Sequence, residues 1–84
     1  MFYKVHTVKP LPEYKLLVGF ASGEKKTYNV QPLFNKREPF KALATIEGLF
    51  EQVSVDTGGY GIRWNDDIDL SCNELYENGV KTGM

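Results

Sequence analysis

Few side chains in this sequence are of the types that carry out covalent chemistry. His6 is the only histidine and Cys72 the only cysteine. A histidine acts as a general base when a carboxylate orients it, and a thiol in the first turn of a helix can become a nucleophile. Neither residue lies in a motif that would complete a catalytic pair, and no Cys-x-x-Cys or Cys/His cluster is present to bind zinc. We therefore interpret His6 as a half-exposed strand residue and Cys72 as a small buried one.

The densest cluster of oxygen-bearing side chains starts at Asn65. It contains three aspartates, Asp66, Asp67 and Asp69. Grouped oxygens bind hard cations, but a calcium loop starting at Asn65 would need glycine at its sixth position and glutamate at its twelfth, where Leu70 and Tyr76 stand. A turn rich in Asn and Asp explains the cluster without a metal. The three aspartates are predicted instead to face a protein partner.

Two further patterns resemble phosphate-binding sequences. The GGYG run at residues 58–61 matches neither the P-loop nor the dinucleotide-binding pattern, and no helix is predicted after it, so a hairpin turn is favoured. A possible basic patch contains Lys25, Lys26, Lys36, Arg37 and Lys41. The sequence pI of about 5.7 argues against a dedicated nucleic-acid binder. A solvated edge that discourages aggregation is the preferred interpretation of the patch.

Three aromatic residues near the acidic cluster, Tyr60, Trp64 and Tyr76, could line a groove for a small ligand or cofactor. Aromatic rings beside acidic side chains favour a cationic or planar molecule. The competing interpretation, which is stronger for Trp64, is a place in the hydrophobic core.

The strands and helices that would position these residues are predicted from the alternation of apolar and polar residues and from the positions of Gly and Pro. Strands are predicted at residues 3–9, 14–20, 24–30, 52–56 and 60–65. Pro10 and Pro12 should end the first strand, and Gly23 should close a hairpin between the second and third. Residues 31–38 are predicted as a loop, followed by short helical turns. Ser71 begins an S-x-x-E capping box for a final short helix that ends at Asn78.

This order predicts an α+β fold: a small antiparallel sheet of about five strands with two hairpins, short helical turns in the middle and one short C-terminal helix. The 84 residues allow one domain, 1–84, with residues 80–84 expected to fray. No leader or membrane span is recognisable and the single cysteine implies no oxidising compartment, so a cytoplasmic location is expected.

The charge is unevenly divided along the chain. Residues 1–45 carry eight Lys or Arg and three Asp or Glu, a net +5, whereas residues 46–84 carry two and eight, a net −6. Such a division fits either a charged partner or two halves that attract each other within one core.

Several ordered motifs resemble a known family. They are VKPLPEYKLLVGF at residues 8–20, SGE at 22–24, VQPL at 30–33, LF at 49–50 before Val53 and Val55, IRWN at 62–65, DIDL at 67–70 and LY at 75–76. In their order they resemble domain of unknown function 2442, a prokaryotic family, over residues 3–78. Asn29 and Asp67 depart from residues common in that family, which is acidic at the first position and glycine at the second.

The resemblance implies a small α+β fold and no catalytic residues that can be mapped onto this chain. Members are often encoded beside another small protein, as in toxin–antitoxin pairs. Some carry a DNA-binding helix-turn-helix segment, for which this chain is too short, and some a molybdopterin-guanine dinucleotide biosynthesis label, for which it shows no nucleotide-binding feature.

The sequence leaves three functions open. The first is a protein-binding regulatory module, for example the antitoxin-like partner of a neighbouring gene product, whose acidic half would suit a basic partner. The second is a small-ligand or cofactor-binding protein that uses the aromatic groove. The third, ranked last, is a metal-dependent or thiol enzyme. We predict no enzyme activity, no cofactor and no metal, a protein partner that could be a second copy of the chain, no membrane association, and no nucleic-acid binding.

Overall fold

The computed structural model describes residues 3–82, which form the predicted α+β fold with several short helices, but with two antiparallel sheets in place of the single sheet expected. The strands are β1 (Val5–Leu11), β2 (Lys15–Phe20), β3 (Lys25–Asn29), β4 (Ser54–Val55), β5 (Gly61–Asn65), β6 (Ile68–Ser71) and β7 (Val80–Lys81). The α-helices are α1 (Leu33–Lys36), α2 (Ala42–Thr45) and α3 (Cys72–Asn78), and 3-10 turns occupy Pro12–Tyr14, Glu38–Lys41, Phe50–Gln52 and Thr57–Gly59.

The larger sheet has the order β1-β2-β3-β7. Its centre is the predicted β2–β3 hairpin, in which Leu16 lies opposite Tyr28. The Phe20 N–H donates to the Glu24 carbonyl at 2.8 Å, which closes the predicted three-residue turn over residues 21–23, and Gly23 takes its left-handed position with φ of 97°. Alternation and turn chemistry agree here, which is why the sequence located the hairpin correctly.

Two strand ends in this sheet differ from the prediction. β1 continues through Pro10 and ends at Leu11, directly before Pro12; Pro10 is tolerated because β1 lies at the edge of the sheet, where one side of the strand needs no hydrogen-bond donors. Val80 and Lys81, which were expected to fray, pair with Thr27 and Lys26. Residues 83–84 of the predicted frayed end lie outside the described residues.

The smaller sheet has the order β4-β5-β6. Its β4–β5 hairpin was predicted, but β6 was interpreted as part of an acidic turn. The Asn65 side chain accepts hydrogen bonds from the backbone N–H groups of Asp67 and Ile68, at 2.8 and 3.0 Å, and so tightens the reversal into a hairpin. Ile68 and Leu70 then point into the core while Asp69 points out. The alternation of buried and exposed residues that identifies β6 was overlooked because the neighbouring aspartates are typical of a turn.

The middle of the chain is more helical than predicted. Residues 31–38, expected to be a loop, contain α1, whose Leu33 is buried. The predicted helical turns follow, and bury Phe40, Leu43 and Phe50. These side chains belong to one hydrophobic core shared by both sheets and α3. No helix within residues 3–82 has both the length and the apolar character that crossing a bilayer requires.

The larger sheet has one face in the core and one toward solvent. Leu16, Val18, Phe20 and Tyr28 point into the core. The other face, called the outer face below, is exposed or half-exposed. It presents Thr7, Lys9, Leu11, Lys15, Leu17, Lys25, Thr27, Asn29 and Val80.

Candidate functional site

A groove of about 790 Å³ lies at the β7 edge of the larger sheet. We call it the basic groove, because three cationic side chains line it: Lys15 from β2, and Lys36 and Arg37 from the end of α1. Thr27, Asn29 and Val80 form its sheet side. It was not predicted as a site, although Lys36 and Arg37 belonged to the basic patch noted in the sequence.

The folding of residues 33–37 explains why the two adjacent cations lie at the groove. α1 ends after a single turn, and the Arg37 backbone N–H donates to the Leu33 carbonyl at 2.9 Å. Leu33 is buried, which holds this turn against the core while Lys36 and Arg37 remain exposed. The rest of the basic patch has other roles: Lys41 pairs with Glu38 at 3.4 Å, and Lys26 lies over the ring of Tyr76.

One carboxylate, Glu74 of α3, also lines the basic groove. The Tyr28 hydroxyl donates a hydrogen bond to its Oε2 at 2.7 Å. Burial and this hydrogen bond raise the pKa of the Tyr28 phenol well above its ordinary value, because both disfavour the phenolate. Part of the hydrogen-bonding capacity of Glu74 is therefore already used inside the protein.

A smaller depression of about 350 Å³, called the acidic depression below, lies beside the basic groove. It brings together two of the predicted site residues, Tyr60 and Asp69, with Asp56. Arg37 and Glu74 line both concavities, so they separate the groove from the depression. Tyr60 is 51% exposed, and the ammonium group of Lys4 lies 5.3 Å from its ring centroid.

The other two predicted partner-binding residues, Asp66 and Asp67, occupy the turn between β5 and β6. Both are exposed, as is Asp69. Asp66 forms an ion pair with Arg63, which lies opposite Asp69 on the neighbouring strand. The hairpin therefore displays carboxylates on a well-defined backbone, and one of them is partly neutralised.

Trp64 does not line a surface groove, which corrects the predicted grouping of Tyr60, Trp64 and Tyr76. It is only 7% exposed, and its ring packs against Phe40 and Phe50. Its indole Nε1–H donates to the Phe50 carbonyl at 2.9 Å, so its polar group is satisfied within the core.

Tyr76 lies elsewhere, stacked on Tyr3 with the ring planes 3° apart and the centroids separated by 3.7 Å. The ammonium group of Lys26 lies 3.7 Å from the Tyr76 ring centroid. The Tyr76 hydroxyl donates to Glu24 at 2.8 Å, which raises the pKa of the phenol. These contacts hold α3 against the start of β3 and leave Tyr76 half-buried.

His6 and Cys72, the residues considered for catalysis, lie in contrasting surroundings. His6 is exposed on β1, at the position where the pairing register with β2 shifts. Cys72 is 2% exposed at the start of α3. Among residues 3–82, no group of three or more His, Cys, Asp or Glu side chains is arranged to hold a metal ion.

Comparisons with known proteins identify a family without assigning a function. No curated protein and no solved structure matches the chain. The model of one family, described as protein of unknown function (DUF2442), matches residues 5–81, nearly the whole chain. The resemblance seen in the sequence motifs is thus confirmed, and the chain belongs to the DUF2442 family.

Proposed function

We propose that this chain is a small protein-binding module, with the outer face of its larger sheet as the main docking surface. The observation that carries the proposal is the composition of this uncovered face. Lys9, Lys15 and Lys25 lie there among the apolar side chains of Leu17 and Val80, the last 71% exposed. A sheet face whose charges all have one sign favours a partner that presents the opposite charge, and the exposed Val80 adds apolar area to the same face.

The acidic hairpin supplies a second surface of opposite sign. Asp67 and Asp69 are exposed and form no ion pair within residues 3–82. A basic patch on a partner would match them. The resemblance that places such chains beside a second small gene product supports a regulatory role in which this chain neutralises that neighbour.

The proposal is tested by affinity capture from lysate of the native host at low salt, with mass spectrometry of the eluate. Two charge reversals separate the surfaces: Lys9→Glu with Lys25→Glu on the outer face, and Asp67→Lys with Asp69→Lys on the hairpin. Glu47→Lys with Glu51→Lys, two exposed positions before β4, is the matched control. We expect one stoichiometric partner that the outer-face variant loses and the control retains.

Light scattering on the purified chain accompanies the capture experiment. An eluate containing only this chain, together with a monomeric mass, would contradict the proposal. A dimeric mass that the outer-face variant abolishes would identify a second copy of the chain as the partner.

A second candidate function, binding of a small cationic ligand, is favoured by the acidic depression. Tyr60 offers an exposed ring beside the carboxylates of Asp56 and Asp69. Ring faces and carboxylates together attract organic cations. A thermal-shift screen with cationic metabolites tests this candidate: a stabilisation that Asp69→Asn removes supports it, and a flat response across the panel contradicts it.

A further inference from the structure

The two edges of the larger sheet differ in how well they resist pairing with another strand. β1, at one edge, carries a register shift between Val5 and Thr7, an exposed lysine at position 9 and a proline at position 10. Bulges, lysines and prolines are the features that natural sheets use to prevent the addition of a strand. This edge is therefore protected.

The opposite edge is open along part of its length. β7 pairs only with Lys26 and Thr27, so Tyr28 and Asn29 of β3 have no strand on that side within the described residues. The basic groove lies at this point, bounded by β3, β7, α1 and α3. An extended segment entering the groove would thus run beside the open end of β3.

The charges around the groove favour an anion. Lys36 and Arg37 form no ion pair within residues 3–82, and Lys15 has only a 3.7 Å pairing with the exposed Glu13. The one carboxylate in the groove, Glu74, accepts the Tyr28 hydrogen bond. Three cations therefore face a single, already engaged carboxylate.

We propose that the basic groove binds an extended acidic segment of a partner protein, which adds along the β3–β7 edge and places its carboxylates against Lys15, Lys36 and Arg37. The proposal rests on the protein-binding function above and gives it a docking site of defined chemistry, which adjoins the outer face and shares Lys15, Thr27, Asn29 and Val80 with it. Strand addition supplies main-chain hydrogen bonds, and the alternate side chains of the segment supply specificity. Within residues 3–82, no exposed aromatic ring lines the groove to stack nucleic-acid bases, since Tyr28, the one aromatic lining residue of this range, is 4% exposed.

The test is selection from a random dodecapeptide library displayed on phage, with the wild-type chain as bait. Lys36→Glu with Arg37→Glu is the groove variant, and Lys4→Glu with Lys41→Glu is the matched control, since all four residues are exposed and the control pair lies outside both the groove and the outer face. We expect wild type and control to enrich peptides with acidic residues two positions apart, the repeat of one strand face. The groove variant should not enrich them.

Two synthetic versions of an enriched peptide refine the result. N-methylation of alternate amides blocks main-chain hydrogen bonds and should weaken binding about tenfold or more if the peptide adds as a strand. Replacing its acids with Asn or Gln should weaken binding by a similar factor of about ten, because charge-assisted hydrogen bonds are lost. Thermal unfolding of each variant establishes that it is folded.

The proposal is overturned if no peptide is enriched, if the groove variant selects the same peptides, or if N-methylation has no effect. Binding of an oligothymidine probe that the groove variant loses, without peptide enrichment, would assign the groove to nucleic acid instead. If the groove variant still captures the partner that the outer-face variant loses from lysate, and no peptide is enriched, the protein-binding function stands and only the groove proposal fails.

Discussion

The Tyr28 hydroxyl donates a 2.7 Å hydrogen bond to Glu74 and so joins β3 to α3. Glu74 stands at the fourth position of the Ser71 capping box, where its side chain would ordinarily reach back to the backbone of the cap residue. Ser71 performs its half of the motif, accepting from the Glu74 N–H at 3.1 Å. The carboxylate accepts from Tyr28 instead. Glu74 therefore contributes its backbone N–H to the helix cap and its side chain to the contact between α3 and the sheet.

Removing this hydroxyl tests how much the connection stabilises the fold. Tyr28→Phe is expected to lower the free energy of unfolding by about 1–2 kcal/mol, since a hydrogen bond to a charged acceptor is lost. Tyr14→Phe is the matched control, because the described structure gives that hydroxyl no hydrogen bond while its ring packs on Phe34 and Phe50. Urea unfolding followed by circular dichroism measures both, and equal costs for the two variants would contradict the assignment.

The same contact predicts a loss of stability at high pH. The pKa of Tyr28 is raised in the folded protein by burial and by Glu74. The stabilisation is therefore complete below the unfolded pKa of about 10 and falls as pH rises above it, because the unfolded chain loses this proton first. Tyr76, hydrogen-bonded to Glu24, acts in the same direction. Urea midpoints between pH 8 and 11 should decline less steeply for Tyr28→Phe than for wild type; parallel curves would show that Tyr28 does not contribute.

How much of this fold could be predicted depends on whether local chemistry and tertiary packing agree. The β2–β3 hairpin could be found because alternation and Gly23 indicate the same turn. β6 could not, since three aspartates within five residues favour a turn until the tertiary fold shows that Ile68 and Leu70 face the core. β7 is two residues long and forms only because β3 is already in place beside it.

The candidate site shows the same limit. Lys36 and Arg37 are adjacent in the sequence, but the third cation of the groove, Lys15, is about twenty residues away and comes close to them only because β2 lies in the same sheet. From the sequence alone, Trp64 could be a ligand-binding residue or a core residue. It can lie in the core because the Phe50 carbonyl accepts its indole N–H there. Residues that are distant in the sequence and become neighbours through strand pairing or core packing form no recognisable sequence motif.

The burial of Trp64 predicts that its fluorescence reports unfolding and not ligand binding at the surface. Emission should be blue-shifted in the native protein and move to longer wavelength in urea, since the ring passes from the core into water. Trp64→Phe should cost about 2 kcal/mol, from lost packing and a carbonyl left without its donor. Native emission near that of free tryptophan would show that the ring is in fact exposed.

Cys72 is expected to react with thiol reagents only when the protein unfolds. The residue is 2% exposed, so a reagent such as DTNB can reach the thiol only when α3 unfolds locally or the whole protein unfolds. The modification rate should rise steeply across the urea transition, with the unfolded chain as the full-rate control. Rapid stoichiometric labelling of the native chain would instead revive the interpretation of Cys72 as a reactive thiol.

Alanine substitutions at Gly61 and Gly23 compare two ways of destabilising the sheets. The first is a steric clash between neighbouring strands, and the second is an unfavourable backbone conformation in a turn. A Cβ at position 61 would lie 2.3 Å from the Leu70 carbonyl oxygen on the neighbouring strand, whereas one at position 23 would have nothing within 4 Å. Gly61→Ala must therefore push β5 away from β6, and is expected to cost about 3 kcal/mol or more, in the range of severe overpacking.

Gly23→Ala meets only the strain of its φ of 97°, about 1–2 kcal/mol. Urea midpoints rank the two variants, and hydrogen exchange locates the damage, which should be concentrated in β5 and β6 for Gly61→Ala. Gly23→Ala is expected to fold even if Gly61→Ala is too unstable to do so. The reason is that only the methyl group at position 61 meets the backbone of β6, so losing a glycine is not by itself enough to unfold the protein. Equal costs would mean that β5 and β6 separate easily, which would leave the aspartates of their hairpin on a mobile support.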